Sequence, residues 1–419
     1  MKFVKLILAL TFFYFIKITS AISQDYPYDI TNYNFVNYDK NKLIFSNDPT
    51  NFEKIFEKIY AMISNGNQRL NVVQLGASHT QADIFSGRMR YRLQSLHPGM
   101  VGSRGFIFPY KMTKSNNPSN YSISYTGFWS TCRNIEWKRA CQLGLAGISA
   151  TTYDANATLT IKMNPNNPIS YDFNIIKIIT KPYSPDMYDI VPDTKCGGYT
   201  VKRIDSLGLT EFKFDKYLKS AAFHLEKSKE NQKEFTLYGI SLENDNPSGI
   251  TYSAIGVNGA SIKSWLACEF FAGQLKLLQP DWIVVFLGVN DGNTTNFSQE
   301  TFYNNYVQLL DRIKFHCPNV NFTFVVPNDF YLYRKRPNPA VAKEEDAIKQ
   351  LVNKYKATMW SLYDMMGGFG SSLTWVNKGL MAYDKVHMTA SGYTFSADMF
   401  FNAFLEAYDD YVEKKIRKN

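Results

Sequence analysis

Several patterns are missing from this 419-residue sequence, and each absence disfavours a class of function. The five cysteines include no CxxC pair and the five histidines no HExxH pattern, which argues against a zinc site. The basic residues behind the net charge of +9 are scattered rather than clustered, so nucleic-acid binding has little support. A polyanionic surface such as a cell wall remains a compatible partner. No metal and no organic cofactor is expected.

Long apolar runs are also missing, except at the start of the chain. Lys2 and Lys5 precede an apolar run over residues 6–16, and small residues follow at 19–21. This is the layout of a secretory signal peptide, and the run is short for a bilayer span. We therefore assign residues 1–23 to a cleaved signal peptide in preference to an uncleaved anchor. The mature protein is expected to be secreted or periplasmic, without stable membrane insertion.

The cysteines are few and of odd number, which leaves at least one free thiol. Cys132 and Cys141 lie close together in sequence and flank the charged stretch RNIEWKR. In an oxidising compartment, this spacing predicts a disulfide that closes a small loop.

What the sequence does contain is an alternation of helical and strand-like patterns at both ends of the chain. Residues 51–63 have apolar side chains at helical spacing, 71–75 read as a buried strand, and 80–96 read as a helix. Downstream, the alternation predicts a parallel sheet with crossover helices, with strands over 282–287, 322–326 and 359–362 and helices over 302–315, 341–356 and 390–415.

Between these two blocks the pattern changes to short alternating stretches such as TLTIKM, NIIKIIT and EFKFDKYL, separated by Asn, Pro and Gly turns. This is typical of an inserted β-sandwich. We predict an α/β domain with a parallel sheet in two parts, residues 46–114 and 236–415, interrupted by a β-sandwich over residues 115–235.

A small set of polar residues follows the predicted strands. Ser78 stands where a strand turns into a helix, and Asp384 precedes His387 by three positions in a polar loop. A serine hydroxyl needs an imidazole to take its proton and a carboxylate to orient that imidazole. Alone, Ser78 would be a helix cap, and Asp384 and His387 would be loop polars. Together they predict a serine esterase triad, with Asn290 and Gly259 as candidate donors to an oxyanion.

Taken in order, GASHT, IGVNGAS, FLGVNDGN and DKVH resemble the four blocks of the SGNH (GDSL-type) hydrolases. The resemblance implies a three-layer flavodoxin-like fold. It also implies that Ser78 is the nucleophile, that Asp384 and His387 complete the triad, and that Gly259 and Asn290 form the oxyanion hole with the Ser78 amide. The usual first block reads Gly-Asp-Ser, whereas Ala77 stands here in place of the aspartate.

A narrower resemblance joins GASHTQAD, an arginine-bearing helix, GFIFPY and the long β-rich insertion. It is similar to exported bacterial peptidoglycan O-acetylesterases, which carry a carbohydrate-binding-like β domain at this place. The expected function is removal of O-acetyl groups from a glycan, peptidoglycan or another polysaccharide, through an acetyl-enzyme. Three alternatives stay open: transfer of the acetyl group to a sugar hydroxyl, a non-catalytic wall-binding protein on a decayed hydrolase scaffold, and a lipase or thioesterase.

Overall fold

A computed structural model describes residues 30–182 and 184–418 of the chain. The predicted signal peptide, residues 1–23, lies outside the described residues. Residues 30–33 contain no helix or strand and belong to a separate unit of the chain. The fold described below begins at Asn34.

The centre of the fold is a six-stranded sheet whose strands are, from edge to edge, Ile44–Phe45, Thr358–Ser361, Asn321–Val326, Trp282–Phe286, Arg69–Gly76 and Gly249–Gly256. The first strand pairs antiparallel and the other five are parallel. Counted along the chain, the parallel strands lie in the order 2-1-3-4-5, which is the order of flavodoxin-like sheets. The predicted α/β fold with a parallel sheet is therefore confirmed.

Helices cover both faces of this sheet. The indole of Trp282 stacks on Phe404 at 5.1 Å between ring centroids, whereas Phe324, which points to the opposite face, meets Tyr306 at 5.8 Å. One layer contains Thr50–Asn65, Phe85–Gln94 and Ala390–Lys418, and the other contains Ile262–Leu266, Phe271–Leu275, Gln299–His316 and Ala340–Tyr355. Shorter helices are Ser78–Gln81, Val289–Gly292, Leu362–Met366 and Ser372–Asn377. Among the described residues, none of the helices has the length and apolar character required to cross a bilayer.

The single helix predicted over residues 80–96 is wrong, because the structure divides it at Asp83. The chain forms a four-residue helix, Ser78–Gln81, and then a second helix, Phe85–Gln94. Asp83 has φ +53°, which a helix cannot accommodate. Its buried carboxylate accepts hydrogen bonds from Arg90 and Arg104 at 2.7 to 3.1 Å, and these ion pairs hold the break in place.

Two antiparallel sheets form the inserted β region, and Phe212 of one meets Phe223 of the other at 5.5 Å between ring centroids. The larger sheet contains Tyr199–Ile204, Leu209–Leu218, Phe173–Thr180, Phe235–Glu243, Ile148–Thr152 and Ser130–Arg133, with Gly105–Ile107 paired to the fourth of these. The smaller sheet contains Tyr121–Tyr125, Thr158–Met163, Ser220–Glu226 and Asp189–Pro192. The predicted inserted β domain is confirmed. Its boundaries, and those of the hydrolase parts, stay a prediction.

Two further features complete the fold. Strands Tyr331–Leu332 and Arg336–Pro337 form a small hairpin. Cys132 and Cys141 are joined in a disulfide, as predicted from their spacing, and the three other cysteines are free and buried: Cys196, Cys268 and Cys317.

Candidate active site

Ser78 lies at the carboxyl end of strand Arg69–Gly76, at the first position of the short helix that follows. The turn between strand and helix is tight, because a Cβ at Gly76 would lie only 2.1 Å from the hydroxyl oxygen of Thr80. Glycine is therefore required here. The helix start leaves the Ser78 N–H without an intrahelical acceptor, and the Ser78 residue is half-buried.

The structure brings Ser78, His387 and Asp384 into one hydrogen-bonded chain. Ser78 Oγ lies 3.0 Å from His387 Nε2, and His387 Nδ1 lies 2.7 Å from Asp384 Oδ2. The carboxylate can only accept, so the imidazole proton sits on Nδ1 and Nε2 is left to accept from the serine hydroxyl. This geometry permits proton transfer from the hydroxyl to the imidazole.

A short loop holds the carboxylate and the imidazole together. The backbone N–H groups of Val386 and His387 both donate to Asp384 Oδ1, at 2.9 and 3.0 Å. Lys385 turns the chain between them with φ +59°. Partial burial opposes ionisation of Asp384, but these hydrogen bonds and that of the imidazole outweigh it and lower the pKa of the carboxyl. Asp384 is therefore anionic at neutral pH.

His79, next to the proposed nucleophile, lies behind the triad rather than in it. Its ring stacks on Phe286 at 5.3 Å, and its Nδ1 is bonded to the hydroxyl of Tyr393. Burial, reinforced by the neighbouring His387, lowers the pKa of His79 to about 3, so this ring is neutral. Its centroid lies 5.5 Å from that of His387. His79 therefore packs against the His387 imidazole.

The two candidate oxyanion residues lie at the ends of the neighbouring strands. Asn290 follows strand Trp282–Phe286, and Gly259 follows strand Gly249–Gly256. These two strands flank Arg69–Gly76, the strand that leads to Ser78. This is the point where the strand order reverses, the usual ligand site of such sheets. Asn290 Nδ2 donates one hydrogen bond to Ala260 O at 2.9 Å, which leaves a second N–H available.

A polar network that the sequence analysis missed holds the loop before Gly259. Gln81 accepts from the N–H of Asn258 at 2.8 Å and donates to Ser115 Oγ at 2.7 Å. The side-chain amide of Asn258 donates to Asn116 Oδ1 at 2.7 Å. These residues are far apart in sequence, and no local pattern signals their contact. The network fixes the glycine loop relative to the helix that carries Ser78.

A pair of carboxyl groups close to Asn290, the half-buried residue Asp291 and the fully buried Glu344, was also missed. Asp291 accepts from the N–H of Ile262 at 3.1 Å, and Glu344 is fully buried beside Gly288 and Gly292. A Cβ at either glycine would lie under 3 Å from the Glu344 carboxyl, so both glycines are needed to make room for it. Burial raises the pKa of Asp291 to about 7, and burial together with the nearby Asp291 raises that of Glu344.

This arrangement predicts an unusual pH dependence of stability. Because burial raises the pKa of Asp291 from 3.8 to about 7, its contribution to stability is present below pH 4 and is lost as the pH rises through 7. Asp291→Asn keeps an acceptor for Ile262 but cannot ionise. Chemical denaturation measures the unfolding free energy at pH 4 and at pH 8. The decrease between these two pH values should be smaller in Asp291→Asn than in wild type by about 2 to 4 kcal/mol. The exposed Glu413→Gln is the control, and equal slopes in all three proteins would contradict the prediction.

Aromatic side chains over residues 110–129 divide between core and surface. Tyr110, Tyr121 and Trp129 are buried, whereas Tyr125 and Phe128 are exposed. Over residues 30–182 and 184–418, no three His, Cys, Asp or Glu side chains converge as potential metal ligands.

Comparison with known proteins agrees with this geometry. Residues 238–395 match the model of the GDSL-like lipase/acylhydrolase family. This region belongs to that family. The match indicates a carboxylic ester hydrolase of this type over the matched region. It covers Gly259, Asn290, Asp384 and His387, although Ser78 lies before it. No curated protein matches the sequence significantly.

Among solved structures, a peptidoglycan O-acetylesterase superposes with a TM-score of 0.71 at 20% identity, over 88% of this chain and 99% of that one. The likeness extends across the β insertion and shows a shared fold. A lipase/acylhydrolase from Enterococcus faecalis has a TM-score of 0.31 at 16% identity, over 37% of this chain and 75% of its own. An acetylxylan esterase from Geobacillus stearothermophilus has a TM-score of 0.29 at 19% identity, over 37% and 72%.

Proposed function

We propose that this GDSL-type hydrolase is an exported serine esterase that removes O-acetyl groups from a carbohydrate, with peptidoglycan as the substrate. The observation that carries the proposal is the chain of hydrogen bonds from Ser78 to His387 to Asp384, at 3.0 and 2.7 Å. These hydrogen-bonded side chains lie at the carboxyl ends of the parallel strands, where proteins of this fold bind their ligands.

In the first half of the proposed reaction, Ser78 Oγ attacks the acetyl carbonyl carbon while His387 Nε2 takes the hydroxyl proton. Asp384 holds the imidazole in the required tautomer and stabilises its positive charge. The bond from the carbonyl carbon to the sugar oxygen then breaks, and His387 returns the proton to that oxygen. The sugar leaves with a free hydroxyl, and the acetyl group remains as an ester on Ser78.

In the second half, a water molecule attacks the acetyl-Ser78 carbonyl and gives a proton to His387. The bond to Ser78 Oγ breaks, the proton returns to that oxygen, and acetate is released. Each attack creates a negative oxygen on the former carbonyl. The N–H groups of Ser78 and Gly259 and the second N–H of Asn290 are the proposed donors to it.

Replacing Asn290 tests the oxyanion role. Asn290→Ala removes the amide and leaves the triad intact, so kcat should fall by about 10²- to 10³-fold with little change in KM. The variant also removes the hydrogen bond to Ala260 O. Asn290→Asp is the matched variant for side-chain shape. Its carboxylate cannot donate to Ala260 O or to an oxyanion, so its kcat should fall at least as far as that of Asn290→Ala. Full activity in Asn290→Asp would contradict the assignment.

The choice of an acetylated glycan rests on two supports. The solved structure with the same layout, β insertion included, is of a protein named peptidoglycan O-acetylesterase. The inserted region also lies next to the proposed oxyanion loop, since a Cβ at Gly259 would be 3.6 Å from Ile135 Cδ1, and a small soluble ester would not require such additional surface.

The experiment is release of acetate by the purified mature protein from O-acetylated peptidoglycan, acetylated xylan and a small acetyl ester. Acetate from peptidoglycan at a kcat/KM well above that for xylan supports the proposal. Preference for xylan would reject the peptidoglycan assignment, and hydrolysis of the small ester alone would reject the glycan. Acetyl transfer to an added acceptor glycan without appreciable acetate would reject hydrolysis in favour of transfer.

A further inference from the structure

The disulfide loop Cys132–Cys141 of the inserted domain lies next to the loop that contains Gly259. A Cβ placed at Gly259 would lie 3.6 Å from Ile135 Cδ1, so this loop packs directly against the proposed oxyanion glycine. The sequence predicts the disulfide but no role for the residues between its two cysteines.

Internal contacts brace the loop. Glu136 accepts from Arg133 at 3.0 Å and from Arg139 at 2.9 Å, and Arg139 also donates to Thr131 O at 2.6 Å. The N–H of Asn134 donates to Gly147 O at 2.9 Å, which ties the loop to the sheet beneath it. Together with the disulfide, these bonds hold the tip of the loop in one position, so a side chain presented there costs little ordering on binding.

The side chain presented at the tip is Trp137, which is 58% exposed. An indole is a costly group to leave in water, and flat exposed aromatic rings are suited to stacking on the apolar face of a sugar. The ammonium group of Lys263 lies 5.9 Å from the centre of the Trp137 ring. Lys263 belongs to the helix Ile262–Leu266, which starts three residues after Gly259.

We propose that Trp137 and Lys263 form a sugar subsite beside the proposed oxyanion loop at Gly259 and determine specificity for an acidic glycan. Trp137 stacks on the ring of the sugar next to the acetylated unit, and Lys263 pairs with a carboxylate carried by the same glycan. Two observations support an anionic ligand. Lys263 is exposed. Glu136, the one acidic residue of the disulfide loop, already forms ion pairs with Arg133 and Arg139. This inference rests on the proposed function and extends it to the substrate class.

The test compares Trp137→Ala, Trp137→Phe and Lys263→Met with wild type on three substrates. On O-acetylated peptidoglycan, Trp137→Ala should raise KM so that kcat/KM falls about tenfold, whereas Trp137→Phe retains most of the activity. Lys263→Met should lower kcat/KM about fivefold on peptidoglycan at low salt and leave neutral acetylated xylan unchanged. On a small acetyl ester, all variants should stay within about twofold of wild type. Phe315→Ala, which removes an exposed ring on the helix Gln299–His316, is the matched control.

A merely structural loop would give a different result: Trp137→Ala would lose activity equally on all three substrates. That result, or unchanged kinetics on peptidoglycan, overturns the subsite. Binding separates this inference from the proposed reaction. Ser78→Ala should co-sediment with peptidoglycan, and Ser78→Ala/Trp137→Ala should not. Trp137-dependent binding without acetate release by wild type would reject the reaction and keep the subsite, whereas acetate release that ignores Trp137 would reject the subsite alone.

Discussion

Ser78→Ala should lower kcat on any acetyl ester by about 10⁵-fold, the largest effect expected from a single substitution in this protein. The substitution removes the oxygen that would form the acetyl-enzyme and leaves His387 without its 3.0 Å partner. The remaining rate is that of water attack assisted by the oxyanion donors. The protein should keep its fold, because Ser78 is half-buried and the change removes only one oxygen.

The matched control is Ser124→Ala, which removes an exposed hydroxyl from strand Tyr121–Tyr125 of the inserted domain. This variant should match wild type in activity and in melting temperature. If Ser78→Ala hydrolysed a small acetyl ester at the wild-type rate, the nucleophile assignment would fail. If that shared rate were no higher than the rate without protein, the alternative of a non-catalytic wall-binding protein, motivated by Ala77, would be preferred.

Asp384→Asn should lower kcat by about 10³- to 10⁴-fold at neutral pH while KM changes little. In the wild-type protein, His387 Nδ1 lies 2.7 Å from Asp384 Oδ2. In the variant, the NH₂ group of the amide can take the place of Oδ2 and donate to Nδ1. The ring then carries its proton on Nε2, which can no longer accept from Ser78. The negative charge that would stabilise the protonated imidazole is also lost.

The same position accepts backbone hydrogen bonds from Val386 and His387, and an asparagine oxygen can still accept them. The loop should therefore survive, and circular dichroism should match wild type. Asp346→Asn, an exposed aspartate in the helix Ala340–Tyr355, is the control for the chemical change alone. A drop under about tenfold in Asp384→Asn, with the fold intact, would assign the orienting role to another group.

The sheet was predictable from the sequence because its strands are short, apolar and separated by regular helical patterns. The strand predicted over 282–287 is observed as Trp282–Phe286, and that over 322–326 as Asn321–Val326. These elements depend on local periodicity, which a single sequence displays. The sequence also indicated three side chains that the structure brings within hydrogen-bond distance, although their catalytic roles stay a prediction.

The features that the sequence did not reveal depend on contacts between distant segments. The helix breaks at Asp83 because Arg90 and Arg104 converge on its carboxylate, and nothing in the stretch 80–96 alone predicts that convergence. Glu344 lies in a run of charged residues typical of an exposed helix face, yet two glycines from another segment enclose it. In the sequence, Trp137 is one aromatic residue in a charged loop. Its contact with Lys263 is visible only in the structure, because the two residues are far apart in sequence.

The central claim is that Ser78 becomes acetylated during turnover, and rapid-quench mass spectrometry tests it most directly. Wild type is mixed with an activated acetyl ester, quenched in acid within the first turnover, and its peptides are sequenced. The account predicts the mass of one acetyl group on Ser78, absent from Ser78→Ala and decaying as acetate appears. An acetyl group at a different residue, or turnover with Ser78 unmodified at every quench time, would contradict it.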